Sequence, residues 1–260
     1  MNALLLIAVS LLAQDKVQLQ FQPKVGDKLE VTEKMDATIH LVVNTGGQKV
    51  ELDVAQRETK RVLMDCQAID GAQITKATYK VEECFEEKKQ PGAPDFEKQN
   101  KPTHGKTIVA ERKDGKVSHQ GADGLSEKEL QDFNLDEGFA MAFPKESVTV
   151  GVPWDVPQET IRKMFHDPTA DGKMSLAVKE LKTIDGRKCA VLDASIKMKG
   201  KAEEGVEMTM ELKGPVVIWL ERGYTMSAKL EGTMSMAGNA PEAKMEGKGP
   251  MKVDVAAVLK

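Results

Sequence analysis

From Leu29 to Leu41 the chain reads LEVTEKMDATIHL, with an apolar residue at every odd position except Glu33 and a polar residue at every even one. A period of two puts successive side chains on opposite faces of an extended strand, so one face of this segment must be covered and the other stays wet. That is the signature of antiparallel sheet, and it constrains the fold more than any other feature of the sequence. Asn44-Thr45-Gly46-Gly47 supplies a turn, and Lys49 to Met64 returns beside the first strand. The same alternation recurs from Val206 to Leu212 and from Met226 through Leu230 to Met234 and Met236.

Strands are expected near 16–22, 28–43, 48–65, 73–85, 105–112, 172–183, 187–199, 206–213, 216–222, 224–237 and 243–258. Asp70-Gly71, Asp114-Gly115 and Asp185-Gly186 punctuate them as turns. Ser126-Glu127-Lys128-Glu129 is a capping box that opens a short helix reaching about Phe133. Pro157 opens a second helix, with Ile161, Met164 and Phe165 on one face. The segment from Glu86 to His104 carries Pro91, Gly92 and Pro94 among charged residues and has no period, so a solvated loop is expected there.

The expected fold is mainly β: long antiparallel strands forming curved sheets or a half-barrel in two similar halves, with a few short helices. The two halves are suggested by a short internal repeat. Val25-Gly26-Asp27-Lys28-Leu29-Glu30-Val31 parallels Val150-Gly151-Val152-Pro153-Trp154-Asp155-Val156, and the turn Ile69-Asp70-Gly71 parallels Ile184-Asp185-Gly186. The division expected is a leader over 1–13, an amino-terminal β half over 14–100, a connecting hairpin and helix over 101–147, and a carboxy-terminal β half over 148–260.

Lys and Arg number 37 against 41 Asp and Glu, for a net charge of -4, which argues against nucleic acid as a partner. Ala3 to Ala13, ALLLIAVSLLA, is an uncharged run too short to span a bilayer as a helix, which takes roughly twenty residues. It fits the apolar region of a secretory leader cut after Ala13, the alternative being a buried terminal element. On the leader reading the mature chain is periplasmic or extracellular, and no later apolar run is long enough to hold it in a membrane. Cys66, Cys84 and Cys189 lack zinc spacing, and the Asp70-Gly71 hairpin sets Cys66 and Cys84 against other residues.

Three segments carry a resemblance. Phe21-Gln22-Pro23-Lys24-Val25-Gly26-Asp27, Phe143-Pro144 through Val148-Thr149-Val150-Gly151 to Trp154, and Val217-Ile218-Trp219-Leu220-Glu221-Arg222-Gly223-Tyr224 are similar to elements of a family of uncharacterised secreted bacterial β-rich proteins, a domain of unknown function. Gly151-Val152-Pro153 departs from the Gly-Asp that usually precedes the Trp in that family. The resemblance implies a β-rich plan that is similar, as fold analogy only, to the open barrels of periplasmic lipoprotein carriers. It implies no activity.

No enzyme signature is found. His40, His104, His119 and His166 are scattered without HxH or HExxH spacing, and structural or solvent-facing roles are expected for them. There is no GxSxG or SxxK, and Gly46-Gly47 has no phosphate-loop Lys beside it. No catalytic residue, cofactor or metal ligand is therefore expected. The fourteen Met are the remaining oddity, set against two Trp, two Tyr and seven Phe. Met208, Met210, Met226, Leu230, Met234 and Met236 share the covered faces of their strands and form the candidate ligand-binding set. Plain core packing, an adaptable apolar cavity and thioether capture of Cu(I) all fit that pattern. The functional expectation is an exported, non-enzymatic envelope protein whose concave sheet face binds an apolar small molecule, a lipid or a lipidated partner. The alternative is a structural or protein-interaction module of the cell envelope with a filled core.

Overall fold

The computed structural model describes residues 15–46, 48–136, 138–201, 205–240 and 243–260, so the Ala3–Ala13 run lies outside the described residues. The strands are β1 (Lys16–Val17), β2 (Lys28–Thr45), β3 (Gln48–Asp70), β4 (Gln73–Lys89), β5 (Glu97–Asn100), β6 (Thr107–Lys113) and β7 (Lys116–Gln120). Helix α1 (Glu127–Leu130) and 3-10 turns at Gln131–Phe133 and Gly138–Ala142 follow. Then come β8 (Val148–Thr149), β9 (Trp154–Asp155), α2 (Gln158–Met164), β10 (Asp171–Ile184), β11 (Arg187–Lys201), β12 (Glu207–Trp219), β13 (Thr225–Ala240) and β14 (Ala243–Leu259).

Twelve strands form one sheet in the order β7-β6-β4-β3-β2-β14-β13-β12-β11-β10-β9, with β5 on β4, and β1 and β8 make a separate pair. Every pairing is antiparallel, and β14 joins the two meanders by returning to β2. The sheet does not close into a barrel, because β7 and β9 end it on opposite sides. Asp114-Gly115 and Asp185-Gly186 adopt positive φ at both residues, the two-residue turn whose twist matches its flanking strands. The mainly β, curved-sheet expectation is met.

Local departures have local causes. The expected strand over 16–22 shrinks to Lys16–Val17, because residues from Gln18 onward run as a strap against the 219–224 turn. The segment expected to be a loop after Glu86 forms a hairpin arm instead. There β4 continues to Lys89 and β5 pairs back on it, since Arg57 over Phe96 and Lys98 over Phe85 pack alkyl stems and cations on rings. The strands expected over 206–213 and 216–222 are one strand, β12, which passes through Gly214-Pro215 with its β11 register intact.

A sheet with one apolar face and, among the described residues, only two short α-helices must bend over that face, and glycines mark the bend. Gly232 on β13 lies opposite Leu212 of β12 and Met251 of β14. Gly214 is two residues from Leu212 on one side of that row, and Gly249 two residues from Met251 on the other, so the three form a diagonal across β12, β13 and β14. A Cβ on each would overlap a neighbouring-strand carbonyl oxygen: that of Lys229 for Gly214, Glu211 for Gly232 and Thr38 for Gly249. Backbones approach this closely only where a sheet is sharply coiled.

Two apolar clusters occupy the concavity. One gathers Leu176, Leu192, Val216 and Ile218 of β10–β12 beneath Ile161 of α2. The other gathers Leu29, Val62, Tyr79 and Ile108 beneath Phe133 and Leu135. The three segments that carry the family resemblance meet along the strap. Gln22 N donates to Arg222 O at 2.9 Å, Gln18 Nε2 donates to Lys145 O at 3.0 Å, and β1 pairs with β8. Asp27, 9% exposed, anchors the strap by accepting from Lys24 N at 2.8 Å and Tyr224 Oη at 3.2 Å, with Arg222 Nε at 3.5 Å. These residues hold the fold together. Cys66, Cys84 and Cys189 are all buried and none is in a disulfide, with Cys66 opposite Ala77 and Cys84 opposite Lys60.

The bend makes a prediction about two neighbouring glycines. Gly249→Ala drives a methyl into backbone, and the expected loss of unfolding free energy is about 3 kcal/mol. Gly247→Ala meets side-chain atoms and no backbone, Ile39 Cγ2 at 2.9 Å, Leu41 Cδ1 at 3.1 Å and Met236 Cγ at 3.2 Å, and is expected to cost about 1 kcal/mol. Urea unfolding of the two variants measures the difference.

Candidate functional site

The covered face of the amino-terminal meander is not completely filled. A cavity of about 260 Å³ lies between the inner face of the sheet and the described residues 131–136 and 138–139, which cross it. The hairpin registers grade its floor from apolar to ionic. Leu29 lies opposite Met64, Val31 opposite Val62, and Glu33 opposite Lys60, on consecutive inward positions of β2 and β3. Tyr79 of β4 and Val255 and Ala257 of β14 extend the apolar floor on either side, and Phe133 and Phe139 form the roof.

The ionic end is also where roof and floor are joined. Lys60 Nζ reaches Asp132 of the roof at 2.9 Å, stands 4.0 Å from Glu33, and lies 5.2 Å from the centre of the Phe133 ring. The Lys60 side chain is only 13% exposed. Burial pulls its pKa down, but the carboxylates of Glu33 and Asp132 outweigh that effect and hold it above the ordinary 10.5. Lys60 therefore keeps its charge in a largely apolar wall. Arg112 of β6 binds the next stretch of roof, donating to Asp136 at 2.6 Å and to Asn134 O at 2.9 Å. His119 of β7 contacts Phe133 O at 3.0 Å, and His166 Nδ1 lies 3.3 Å from Asn134 Nδ2. The expected capping box is present, with Ser126 Oγ accepting from Glu129 N and the Glu129 carboxylate accepting from Ser126 N at 2.6 Å. It fixes the start of the roof.

The methionine-rich set falls elsewhere on the sheet. Met208 lies opposite Met236 and Met210 opposite Met234, so four of the six candidates form two adjacent rows on one face of β12 and β13. Met198 of β11 adds to the Met210 row. Met208 and Met210 line a shallow hollow with Met198 and Phe165. Leu230 is buried in the carboxy-terminal cluster, where Met210 and Met234 pack against it, and Met226 packs instead against the amino-terminal cluster. The cavity under the roof is lined by other residues.

Two of those residues leave a trace in the sequence. Glu33 is the one polar intrusion in the apolar stripe of β2 before Thr45, and the hairpin that sets Thr45 against Gln48 sets it against Lys60, which interrupts the stripe of β3. Asp132, Phe133 and Phe139 leave none, because their place over the floor is set by the path of the roof. The remaining histidines fill ordinary polar contacts: His40 bonds Asp53 at 2.9 Å on the exposed face, and His104 Nδ1 accepts from Cys84 N at 3.1 Å. Among the described residues no group of three or more His, Cys, Asp or Glu is arranged to hold a metal ion, and no helix is long and apolar enough to cross a membrane.

No family model matches the chain, and no curated protein matches it. Among solved structures it is similar to lipovitellin, described for its lipid–protein interactions, with a TM-score of 0.47 at 10% identity over 93% of this chain. That alignment spans only 25% of the lipovitellin chain. DynF of the dynemicin biosynthesis pathway of Micromonospora chersina aligns with a TM-score of 0.21 at 9% identity, over 96% of this chain and 88% of DynF. A DUF1329 family protein from Desulfovibrio piger aligns with a TM-score of 0.15 at 8% identity, over 87% of this chain and 85% of its own. Likeness at this level assigns no family and carries no argument about activity.

The Lys60 ion pair gives a pH signature. A group whose pKa is raised on folding stabilises fully below its unfolded value and loses that contribution as pH climbs through the folded value. Lys60→Met is expected to lower stability by about 1 kcal/mol at pH 7, with the half-exposed Asp132 limiting the loss. The gap from wild type should narrow as pH rises above 10.5, measured by urea unfolding across that range.

Proposed function

We propose that this is an exported, non-enzymatic binding protein that holds a small apolar or amphipathic molecule in the cavity on its concave sheet face. The observation that carries the reading is the cavity itself. A space of about 260 Å³, walled by Leu29, Val31, Val62, Met64 and Val255 under two Phe rings, is mostly apolar, with Glu33, Lys60, Asp132 and Asp136 as the charged residues of its described lining. Ligand sites are concave and mostly apolar with a few fixed polar groups, and this volume lies near the lower end of their size range. A binding role needs no catalytic constellation, in keeping with the sequence.

Val62 lies at the centre of the floor and is 7% exposed. Val62→Trp is expected to fill the cavity and weaken binding of the neutral fluorescent probe N-phenyl-1-naphthylamine by at least about tenfold. Met236→Ala, on the methionine rows, should leave binding of that probe unchanged. Equal binding by wild type and Val62→Trp, with native circular dichroism in both, would reject the cavity and favour an envelope interaction module.

Export is supported by the Ala3–Ala13 run and is tested separately. Expressed in a bacterial host with a secretion pathway, the protein should be recovered outside the cytoplasm with Gln14 as its first residue. Recovery from the cytoplasm with Met1 retained would contradict it.

A further inference from the structure

We infer that the cavity selects a single-chain amphiphile whose polar end is a protonated amine, and disfavours one ending in a carboxylate. The inference rests on the binding reading above and adds the chemistry of the ligand.

The floor registers give the cavity a direction. Leu29 with Met64 and Val31 with Val62 form two apolar rows, and Glu33 with Lys60 forms the ionic row beside them. An amphiphile lowers its free energy by laying its chain on the first two rows and its head against the third. A volume of about 260 Å³ suits one short alkyl chain and is too small for a diacyl lipid.

The ionic row has a sign. Among the described lining residues three are carboxylates, Glu33, Asp132 and Asp136, and one is a cation, Lys60. Arg112 neutralises Asp136 from outside the lining at 2.6 Å, and Lys60 is committed to Asp132 at 2.9 Å. Glu33 shares that same Lys60 at 4.0 Å, the long limit of an ion pair, so the row retains an excess of negative charge. A carboxylate head would have to displace Asp132 from Lys60 while facing Glu33, a like charge. An ammonium head meets Glu33 with a charge-assisted N–H···O bond available and no close ion pair to displace, since the like charge of Lys60, 4.0 Å from Glu33, is offset by Asp132 at 2.9 Å. The Glu33 side chain is 49% exposed, so the contact sits at the mouth, where a head can arrive from water with little desolvation.

The test is calorimetric titration of the full-length protein at pH 7 and low salt with dodecylamine, dodecanol and laurate, the two ionic probes below their micelle concentrations and dodecanol below its solubility limit. Dodecylamine should bind about fivefold more tightly than dodecanol, and laurate more weakly than either. Glu33→Gln should erase the amine preference while leaving dodecanol affinity unchanged. In the wild type, adding 0.5 M NaCl should shrink the amine preference and spare dodecanol, which keeps the test independent of how the variant folds. Laurate binding as tightly as dodecylamine, or an unchanged order in both Glu33→Gln and high salt, would overturn the amine assignment and leave the cavity reading intact. Failure of all three alkyl probes to bind would overturn both.

Discussion

Everything in this fold follows from a sheet with one apolar face and, among the described residues, no second sheet larger than the two-residue β1–β8 pair to cover it. Strands of up to 23 residues present a long apolar stripe, and the two α-helices among the described residues comprise four and seven residues. Such a stripe is removed from water only if the sheet coils over itself. The diagonal through Gly214, Gly232 and Gly249 lets it do so, because neighbouring carbonyl oxygens occupy the space where a side chain would stand. Curvature of this kind leaves a concavity whose filling depends on what crosses it. On the carboxy-terminal side α2 delivers Ile161 into a close-packed cluster. On the amino-terminal side a thin segment of 3-10 turn crosses instead, and a volume remains beneath it.

Two polar devices keep this open architecture in one shape. Asp27 ties the strap to the 219–224 turn, which draws together the start of the chain and the β12–β13 hairpin nearly two hundred residues later. The roof is held by Lys60 and Arg112, each from the sheet to an acid of the crossing segment. Exposed ion pairs contribute little, whereas a side chain such as Lys60, with its stem in an apolar wall, has few other ways to satisfy its charge. The latch therefore specifies where the roof sits more than how stable the protein is.

Much of this was legible in the residues and some was not, for identifiable reasons. The alternation in β2, β3, β12 and β13 announced antiparallel sheet, and the Asp-Gly pairs announced the turns, because both signals are local. Gly214-Pro215 misled, since a glycine and a proline usually end a strand; here they lie at the bend, where β12 needs no side chain at 214. The hairpin arm of β4 and β5 was hidden because its stability comes from cations over Phe85 and Phe96 and not from a period. The methionine rows were correctly placed on one face by parity, but parity does not reveal which part of that face is left unfilled.

The sequence by itself determined the class of structure, the inward face of each long strand, and the pairing of Glu33 with Lys60 once the 46–47 turn is accepted, because those properties depend on neighbours in the chain. Tertiary structure alone decided that β14 returns to β2, that the strap locks onto Arg222 and Tyr224, and that Phe133 and Phe139 line a cavity with Val62 while Phe133 packs edge-on against Tyr79. The physical reason is the range of the forces involved. Alternation and turn chemistry act over a few residues, whereas a cavity is the residue of packing among segments far apart in sequence, and its existence depends on how closely they can approach.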